Sequence, residues 1–237
     1  MTIVATIPKG CAICPTRGLC AARDVPTSRL ASLGECFSTT PPMNKGDYLY
    51  RANDRASAWF VIRSGVYKTI TVTSDGEEYI TGFYYPGEIL GLGGAATGRF
   101  NETAMALTSA TACAVAITDL PRLWSVGADQ ALLRLVAERE RTETLLRINL
   151  SQSKAEVRIA GFIRLLMERT DRLGFDPTCL SMPMSRTDLA NHLGLTLECL
   201  SRVLSKWRKA GVIESDRSTM WILKPEELAT AAFHLAA

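Results

Sequence analysis

Three cysteines fall within ten residues near the start of the chain, in "CAICPTRGLC", as Cys11, Cys14 and Cys20. Thiolates are soft ligands, and the spacing C-x2-C-x5-C wraps a loop around a compact centre, so the stretch suits zinc or an iron–sulfur centre. Either would need a fourth ligand, and Cys36, Cys113, Cys179 and Cys199 are the candidates. Seven cysteines at irregular spacing do not form a recognisable disulfide framework and point to metal binding or redox sensing in a reducing compartment. Pro15 lacks an N–H that could donate to sulfur, and Ile13 and Leu19 are placed to shield a metal centre. Cys36 reads as a small buried apolar residue and Cys179 as core. Cys199 reads as an edge-of-core residue whose oxidation would block whatever its helix binds.

A second constellation lies near the other end, in "SRTDLANHLGLTLECLSRVLSKWRKAG". A capping box from Ser185 to Asp188 opens a short helix that turns at Gly194, and Thr196 is a good N-cap for the next helix. Ala190, Gly194 and Leu200 permit the close crossing of a helix-turn-helix. On the second helix Leu200, Val203, Leu204 and Trp207 share one side, while Glu198, Ser201, Arg202 and Ser205 share another. Side chains at that N-terminal position reach base edges when such a helix enters the major groove. Arg202 matches guanine O6 and N7, Glu198 a cytosine amino group, and Ser201 a base or a phosphate. Lys206, Arg208 and Lys209 supply positive charge for phosphates, with Ser185, Arg186 and Thr196 at the helix starts beside them. A plain reading of Glu198 and Arg202, four residues apart, is a surface ion pair.

These two sites must be positioned by the intervening elements. The chain has 237 residues, 47% of them hydrophobic, enough for one large or two modest domains. From Gly46 to Ile117 short β-rich runs alternate with turn residues, and Asp75-Gly76 is a strong hairpin signal, which suggests a small antiparallel barrel or jelly roll. Residues 128–156 contain no Gly or Pro and read as one long helix. Steps of four and three along it give Leu132, Val136, Arg139, Glu143, Leu146 and Leu150, a seam apolar at its ends and charged in its middle, suited to a marginal and therefore adjustable dimer. The segment "GVIESDRSTMWIL" reads as a hairpin after the helices. No stretch is apolar enough to be a signal peptide or to span a bilayer, so a cytoplasmic protein with no membrane attachment is expected. The net charge of +3 decides nothing. The two histidines, His192 and His234, have no nucleophile or carboxylate constellation around them, so an enzyme is not expected.

The order and content of these segments resemble the CRP/FNR superfamily of transcription regulators, and most closely its FNR branch, the fumarate and nitrate reduction regulators. "FVIRSGVYKTITVTSDGEEYITGFYYPGEILGL" is similar to the branch's β-roll and "LSMPMSRTDLANHLGLTLECLSRVL" to its DNA-binding segment. The resemblance implies an α+β fold: an N-terminal antiparallel β-roll of the cupin-like jelly-roll kind, a long dimerisation helix and a C-terminal winged helix-turn-helix. The corresponding regions are a cysteine-rich segment 1–27, a β-roll 28–127, a dimerisation helix 128–154 and a DNA-binding domain 155–237. It further implies a 4Fe-4S cluster held by Cys11, Cys14, Cys20 and Cys113, the last lying in "ALTSATACAVAI" at the separation of the family pattern. The triplet E-x-x-S-R falls on Glu198, Ser201 and Arg202, implying a homodimer on a TTGAT-type inverted repeat in double-stranded DNA.

By the same resemblance the protein would contact RNA polymerase and control anaerobic-metabolism genes under low oxygen. The cyclic-AMP branch uses a Gly-Glu pair and a later arginine. Here Gly87-Glu88 is present, but "NETAMAL" puts Glu102 where the phosphate-binding arginine would stand, so no cyclic nucleotide is expected and Gly87 and Glu88 read as turn residues. A zinc-stabilised regulator, or one answering to nitric oxide or redox change, is the alternative on the same fold.

Overall fold

A computed structural model describes residues 11, 14, 16–20 and 22–232. The chain forms two compact units, Met1–Arg139 and Glu140–Ala237.

In the first unit the strands are β1 (Phe37–Thr39), β2 (Tyr48–Tyr50), β3 (Ala58–Ser64), β4 (Tyr67–Val72), β5 (Glu78–Tyr84), β6 (Ile89–Leu90), β7 (Thr103–Ala106) and β8 (Thr111–Ala116). They form two antiparallel sheets, β1-β8-β3-β6 and β2-β7-β4-β5. Inward side chains of both sheets, among them Tyr50, Phe60, Ile62, Tyr67, Tyr84 and Leu90, make one apolar cluster. The turn between β4 and β5 contains Gly76 at φ +88°, as the Asp-Gly signal requires, and is closed by the Thr73 N–H donating to the Glu77 carbonyl at 3.0 Å.

The first sheet is buried on both faces, which accounts for the unbroken apolar run "WFVI" in β3: Phe60 and Ile62 face the second sheet, Trp59 and Val61 the opposite way. On that outer face lie Leu30 and Leu33 of α1 (Leu30–Gly34) and Leu123 of α3 (Leu120–Ser125). Leu132 and Leu135 of α4 (Asp129–Leu150) and Ala22 and Val25 of the cysteine-rich segment join them. A short helix, α2 (Gly94–Thr97), follows β6.

The long helix ends at Leu150, six residues before the expected 156. Its end carries no Gly or Pro; polar side chains compete with the backbone ladder instead. Ser151 Oγ and Gln152 Nε2 both donate to the Ile148 carbonyl, at 2.7 and 3.0 Å, and Asn149 Nδ2 donates to the Arg158 carbonyl at 2.8 Å. The division between the two units falls within α4, not at the start of the DNA-binding segment.

The second unit continues with α5 (Ala155–Arg172), β9 (Cys179–Ser181), α6 (Arg186–His192), α7 (Leu197–Lys209), β10 (Ile213–Ser215), β11 (Thr219–Ile222) and α8 (Pro225–Ala231). The expected hairpin is β10–β11, and β9 adds a third strand in the order β10-β11-β9. Cys179, read from sequence as core, is exposed, because in β9 it is Leu180 that turns inward. Arg158 ties the unit together: Nε donates to the Gln152 carbonyl at 2.6 Å, and Nη1 to the carbonyls of Leu193 and Gly194, both at 3.1 Å. One guanidinium thus joins the α4–α5 connection to the helix-turn-helix turn.

Replacing Arg158 by Ala strands three carbonyls of two connections. The variant is expected to lose about 2 kcal/mol of stability in this unit, measured as a lower urea midpoint. Arg158→Lys should recover only part of it, since one ammonium cannot span both connections.

Candidate metal centre and nucleic-acid interface

The cysteine-rich segment is a series of tight turns. The Cys14 N–H donates to the Cys11 carbonyl at 3.4 Å and the Arg17 N–H to the Cys14 carbonyl at 3.0 Å, before a 3-10 turn at Arg17–Leu19 leads to Cys20. The Ala22 N–H donates to Cys20 Sγ at 3.4 Å, and Cys14 Sγ lies 3.2 Å from Thr16 Oγ1. Three anchors hold the segment on the first unit: Ala22 and Val25 in the outer apolar cluster, an ion pair from Asp24 to Arg134 of α4 at 3.1 Å, and Leu19 against Gly87. Gly87 has φ +88°, and a Cβ there would lie 2.6 Å from Leu19 Cβ. Sequence reasoning assigned Gly87 to a turn; it also provides the clearance for the cysteine-rich segment, and only the packed structure reveals that. Leu19 is spent on this contact. Ile13 and Pro15, read as neighbours of the metal centre, lie outside the described residues, as does His234.

Cys113 arrives from β8, opposite Thr39 of β1 and Val61 of β3. With Val115 it faces outward, so Cys11, Cys20 and Cys113 all pack on the same outer cluster. Burial pushes the Cys113 thiol up to about 11, with Cys14, Cys11 and Cys20 each adding to the shift. Cys20 is pushed to about 11 as well, chiefly by burial, partly opposed by the Ala22 N–H and reinforced by Cys14 and Cys11. Burial and then Cys14 raise Cys11. The four thiols therefore lie within electrostatic range of one another.

Among the described residues no group of three or more His, Cys, Asp or Glu side chains is arranged around a single metal ion. In donor chemistry four thiolates suit a tetrahedral zinc or an iron–sulfur cluster alike. The other cysteines stand apart: Cys36 is buried and donates to the Ser32 carbonyl at 3.7 Å, and Cys199 lies on α7.

In the β-roll, Glu102 is occupied. Tyr50 Oη donates to Glu102 Oε1 at 3.3 Å and Thr81 Oγ1 to Oε2 at 3.1 Å. Burial, and then the Glu102 carboxylate, push the Tyr50 hydroxyl well above its ordinary value, so it remains a donor. Tyr50 stacks on Phe100 with ring centroids 3.9 Å apart.

On α7 the expected division of faces is present. Leu200, Val203, Leu204 and Trp207 are buried, and Glu198, Arg202, Ser205 and Lys209 are exposed, with Ser201 half-buried between them. Both caps form: Ser185 Oγ accepts from the Asp188 N–H at 2.9 Å and Thr196 Oγ1 from the Cys199 N–H at 3.2 Å. No ion pair joins Glu198 and Arg202 among the described residues; Arg202 Nη2 lies 3.8 Å from Cys199 Sγ. Lys206, expected on phosphates, is engaged by Glu156 of α5 at 2.7 Å. Arg186 and Arg208 both donate to Ser215 Oγ of β10, at 3.5 and 3.3 Å. Burial and the nearby Arg208 lower the pKa of Arg186, which nonetheless stays charged. Two guanidiniums meeting at one hydroxyl form an anion-attracting notch. Ser215 was absent from the sequence reading, because only the fold brings the wing to the start of α6.

The seam read along α4 is corrected at two positions. Leu132 is buried in the outer cluster, and Arg139 donates to the Ile89 carbonyl at 2.9 Å with its guanidinium 4.8 Å from the Tyr84 ring centroid. A helix with one face on a sheet turns these two inward. The exposed apolar residues of this stretch are Leu133, 69% exposed, and Val136, 39% exposed. Glu143, Leu146 and Leu150 are half-buried.

Residues 42–125 match the model of the cyclic nucleotide-binding domain, and residues 157–231 that of the Crp-like helix-turn-helix domain. The chain is 34% identical to the transcriptional activator protein FnrA of Stutzerimonas stutzeri, over 90% of this chain and 88% of that protein. It is 31% identical to the fumarate and nitrate reduction regulatory protein of Escherichia coli, over 95% and 92%. Among solved structures, FixK2 from Bradyrhizobium japonicum shares the fold at a TM-score of 0.72 and 23% identity, covering 84% of this chain and 99% of that one. These relatives are transcription regulators and not enzymes. A β-roll of two antiparallel sheets, a long helix and a capped helix-turn-helix with a wing, matched over nearly the whole length of such relatives, make this chain a DNA-binding transcription regulator of the CRP/FNR family.

Proposed function

We propose that this regulator is oxygen-responsive: a 4Fe-4S cluster held by Cys11, Cys14, Cys20 and Cys113 promotes dimerisation and binding to a TTGAT-type inverted repeat under low oxygen. The observation that carries the reading is that Cys11 and Cys20 of the N-terminal segment and Cys113 of β8, distant in the chain, pack on one apolar cluster at the outer face of one sheet, with Cys14 near enough to act on each of them. The FNR names of the relatives support it. When bound, such a cluster supplies sensitivity to oxygen.

The chain's own residues supply the rest. Cys11, Cys14, Cys20 and Cys113 would hold the cluster as thiolates, and Ala22, Val25 and Asp24 anchor the segment that bears the first three. Asp24 holds Arg134, and Leu132 and Leu135 share the apolar cluster, so the state of the segment is felt along the first half of α4. Leu133 and Val136 on its open side offer apolar surface to a second copy. A few kcal/mol of differential stabilisation is enough to move a monomer–dimer balance. Two copies then present two α7 helices: Arg202 and Glu198 read base edges, Ser201 a base or phosphate, and Arg186, Arg208 and Lys209 the phosphates. Glu102 occupies the anion position of the cyclic-AMP branch, so no cyclic nucleotide is the signal. The protein acts in the cytoplasm on anaerobic-metabolism genes and contacts RNA polymerase; no helix among the described residues is long and apolar enough to cross a membrane.

Anaerobic purification is expected to yield iron and acid-labile sulfide with a visible absorption that air bleaches, and Cys113→Ser should lose the iron and most of the anaerobic DNA affinity. Zinc without iron, or a Cys113→Ser variant that keeps its cluster, overturns the reading. On DNA, Arg202→Ala should cost about 1–3 kcal/mol and relax preference at one base pair. Arg208→Ala should weaken all sequences alike and reduce the salt slope by about 1; titrations at several salt concentrations separate the two.

A further inference from the structure

Two buried hydrogen-bond donors beside Cys113 have no partner among the described residues: the Thr39 hydroxyl and the Trp59 indole N–H. Native interiors leave few such groups unpaired, so two on one patch of one sheet call for an acceptor. Strand register puts them on either side of the same cysteine. Thr39 of β1 stands directly opposite Cys113, and Trp59 of β3, paired with Val115, is the diagonal neighbour of Cys113 from the other side. Opposed residues share a face, and a diagonal neighbour is within reach of an aromatic ring. Burial agrees: Trp59, Val61 and Val115 belong to the outer cluster on which Cys113 packs, while Phe60, Ala112 and Ala114 belong to the inner one. Trp59 is only 6% exposed, so bulk water does not serve its N–H. Val61 and Val115, the apolar residues around the site, offer no acceptor. The side-chain acceptor that strand register places between the two donors is the sulfur of Cys113.

We propose that Thr39 and Trp59 are positioning residues that donate hydrogen bonds to the sulfur presented at Cys113, one from each neighbouring strand, when the cluster is bound. The inference rests on the iron–sulfur reading above. A negatively charged sulfur in apolar surroundings makes such bonds charge-assisted, and partners of this kind orient a ligand and tune the centre it holds. The apolar strand neighbours exclude competing water, and the indole, fixed by its packing, gives a bond of set direction. Without sulfur charge on Cys113 both donors stay unsatisfied, so the arrangement suits the loaded protein better than the metal-free one.

The test compares wild type, Thr39→Val and Trp59→Phe, each purified without oxygen and also prepared metal-free. Iron and sulfide in the wild type are the first reading; their absence refutes the iron–sulfur assignment, and this proposal with it. With iron present, each variant is expected to lose its visible absorption in air about tenfold faster than wild type. Thr39→Val, which preserves shape, should leave the urea midpoint of the metal-free protein unchanged or raised. Trp59→Phe leaves a void, so its informative quantity is the extra loss seen only in the loaded protein. In deuterated buffer the Fe–S stretching bands of wild type should shift, and that shift should shrink in both variants. An iron-loaded wild type whose variants match it in lifetime and isotope shift overturns the proposal while leaving the cluster assignment standing. Equal destabilisation of loaded and metal-free Thr39→Val also overturns it, as plain packing.

Discussion

Burial of the outer face of the β1-β8-β3-β6 sheet is the constraint on which the first unit depends. Trp59, Val61, Ile89, Val115 and Phe37 present an apolar surface that must be covered, and it is covered by α1, α3, the first half of α4 and the cysteine-rich segment together. Because close-packed side chains move only in concert, a change in one of these covers is felt by the others. Cys11, Cys20 and Cys113 therefore sit on the surface where the first half of α4 is seated. No long-range wire is needed to link them: Ala22, Val25, Leu132 and Leu135 belong to one cluster, and Asp24 and Arg134 add a charged contact between the same two elements.

The second unit solves a different problem, which is to hold a short reading helix still. Apolar packing of Leu200, Val203, Leu204 and Trp207 sets the rotation of α7, and the Thr196 cap sets its start. Arg158 then fastens the turn before α7 to the connection after α4 through three backbone carbonyls. Charge is distributed unevenly over the exposed face. Lys206 is paired with Glu156, while Arg186 and Arg208 meet at Ser215. Positive charge without a paired carboxylate among the described residues is therefore gathered toward the wing side of the helix.

The β-roll combines a widely shared fold with side-chain contacts of its own. Its strands match a cyclic nucleotide-binding domain, yet Glu102 accepts from Tyr50 and Thr81, and Tyr50 stacks on Phe100. Gly87 makes room for Leu19. Function follows from these side chains and not from the sheet order.

Local patterns were legible where local physics decides. The Asp-Gly hairpin, the two helix caps and the apolar side of α7 follow from turn chemistry, capping hydrogen bonds and a 3.6-residue period, each settled within a few neighbours. The cysteine spacing and the resemblance it carried singled out Cys113, and Glu102 was conspicuous as the wrong charge for a phosphate. Other features depend on residues far apart in the chain. Periodicity drew a seam through Leu132 and Arg139, but a helix's orientation is chosen by the sheet it covers, and that sheet took both inward. Lys206 met Glu156, Arg186 met Ser215, and α4 stopped where Asn149, Ser151 and Gln152 found carbonyls to bond. Thr39 and Trp59 drew no attention as isolated letters. Residue types and spacings by themselves marked the groups whose chemistry suits a site; the tertiary structure decided which of them meet, because pairing across strands and between helices brings together side chains that sequence distance keeps apart.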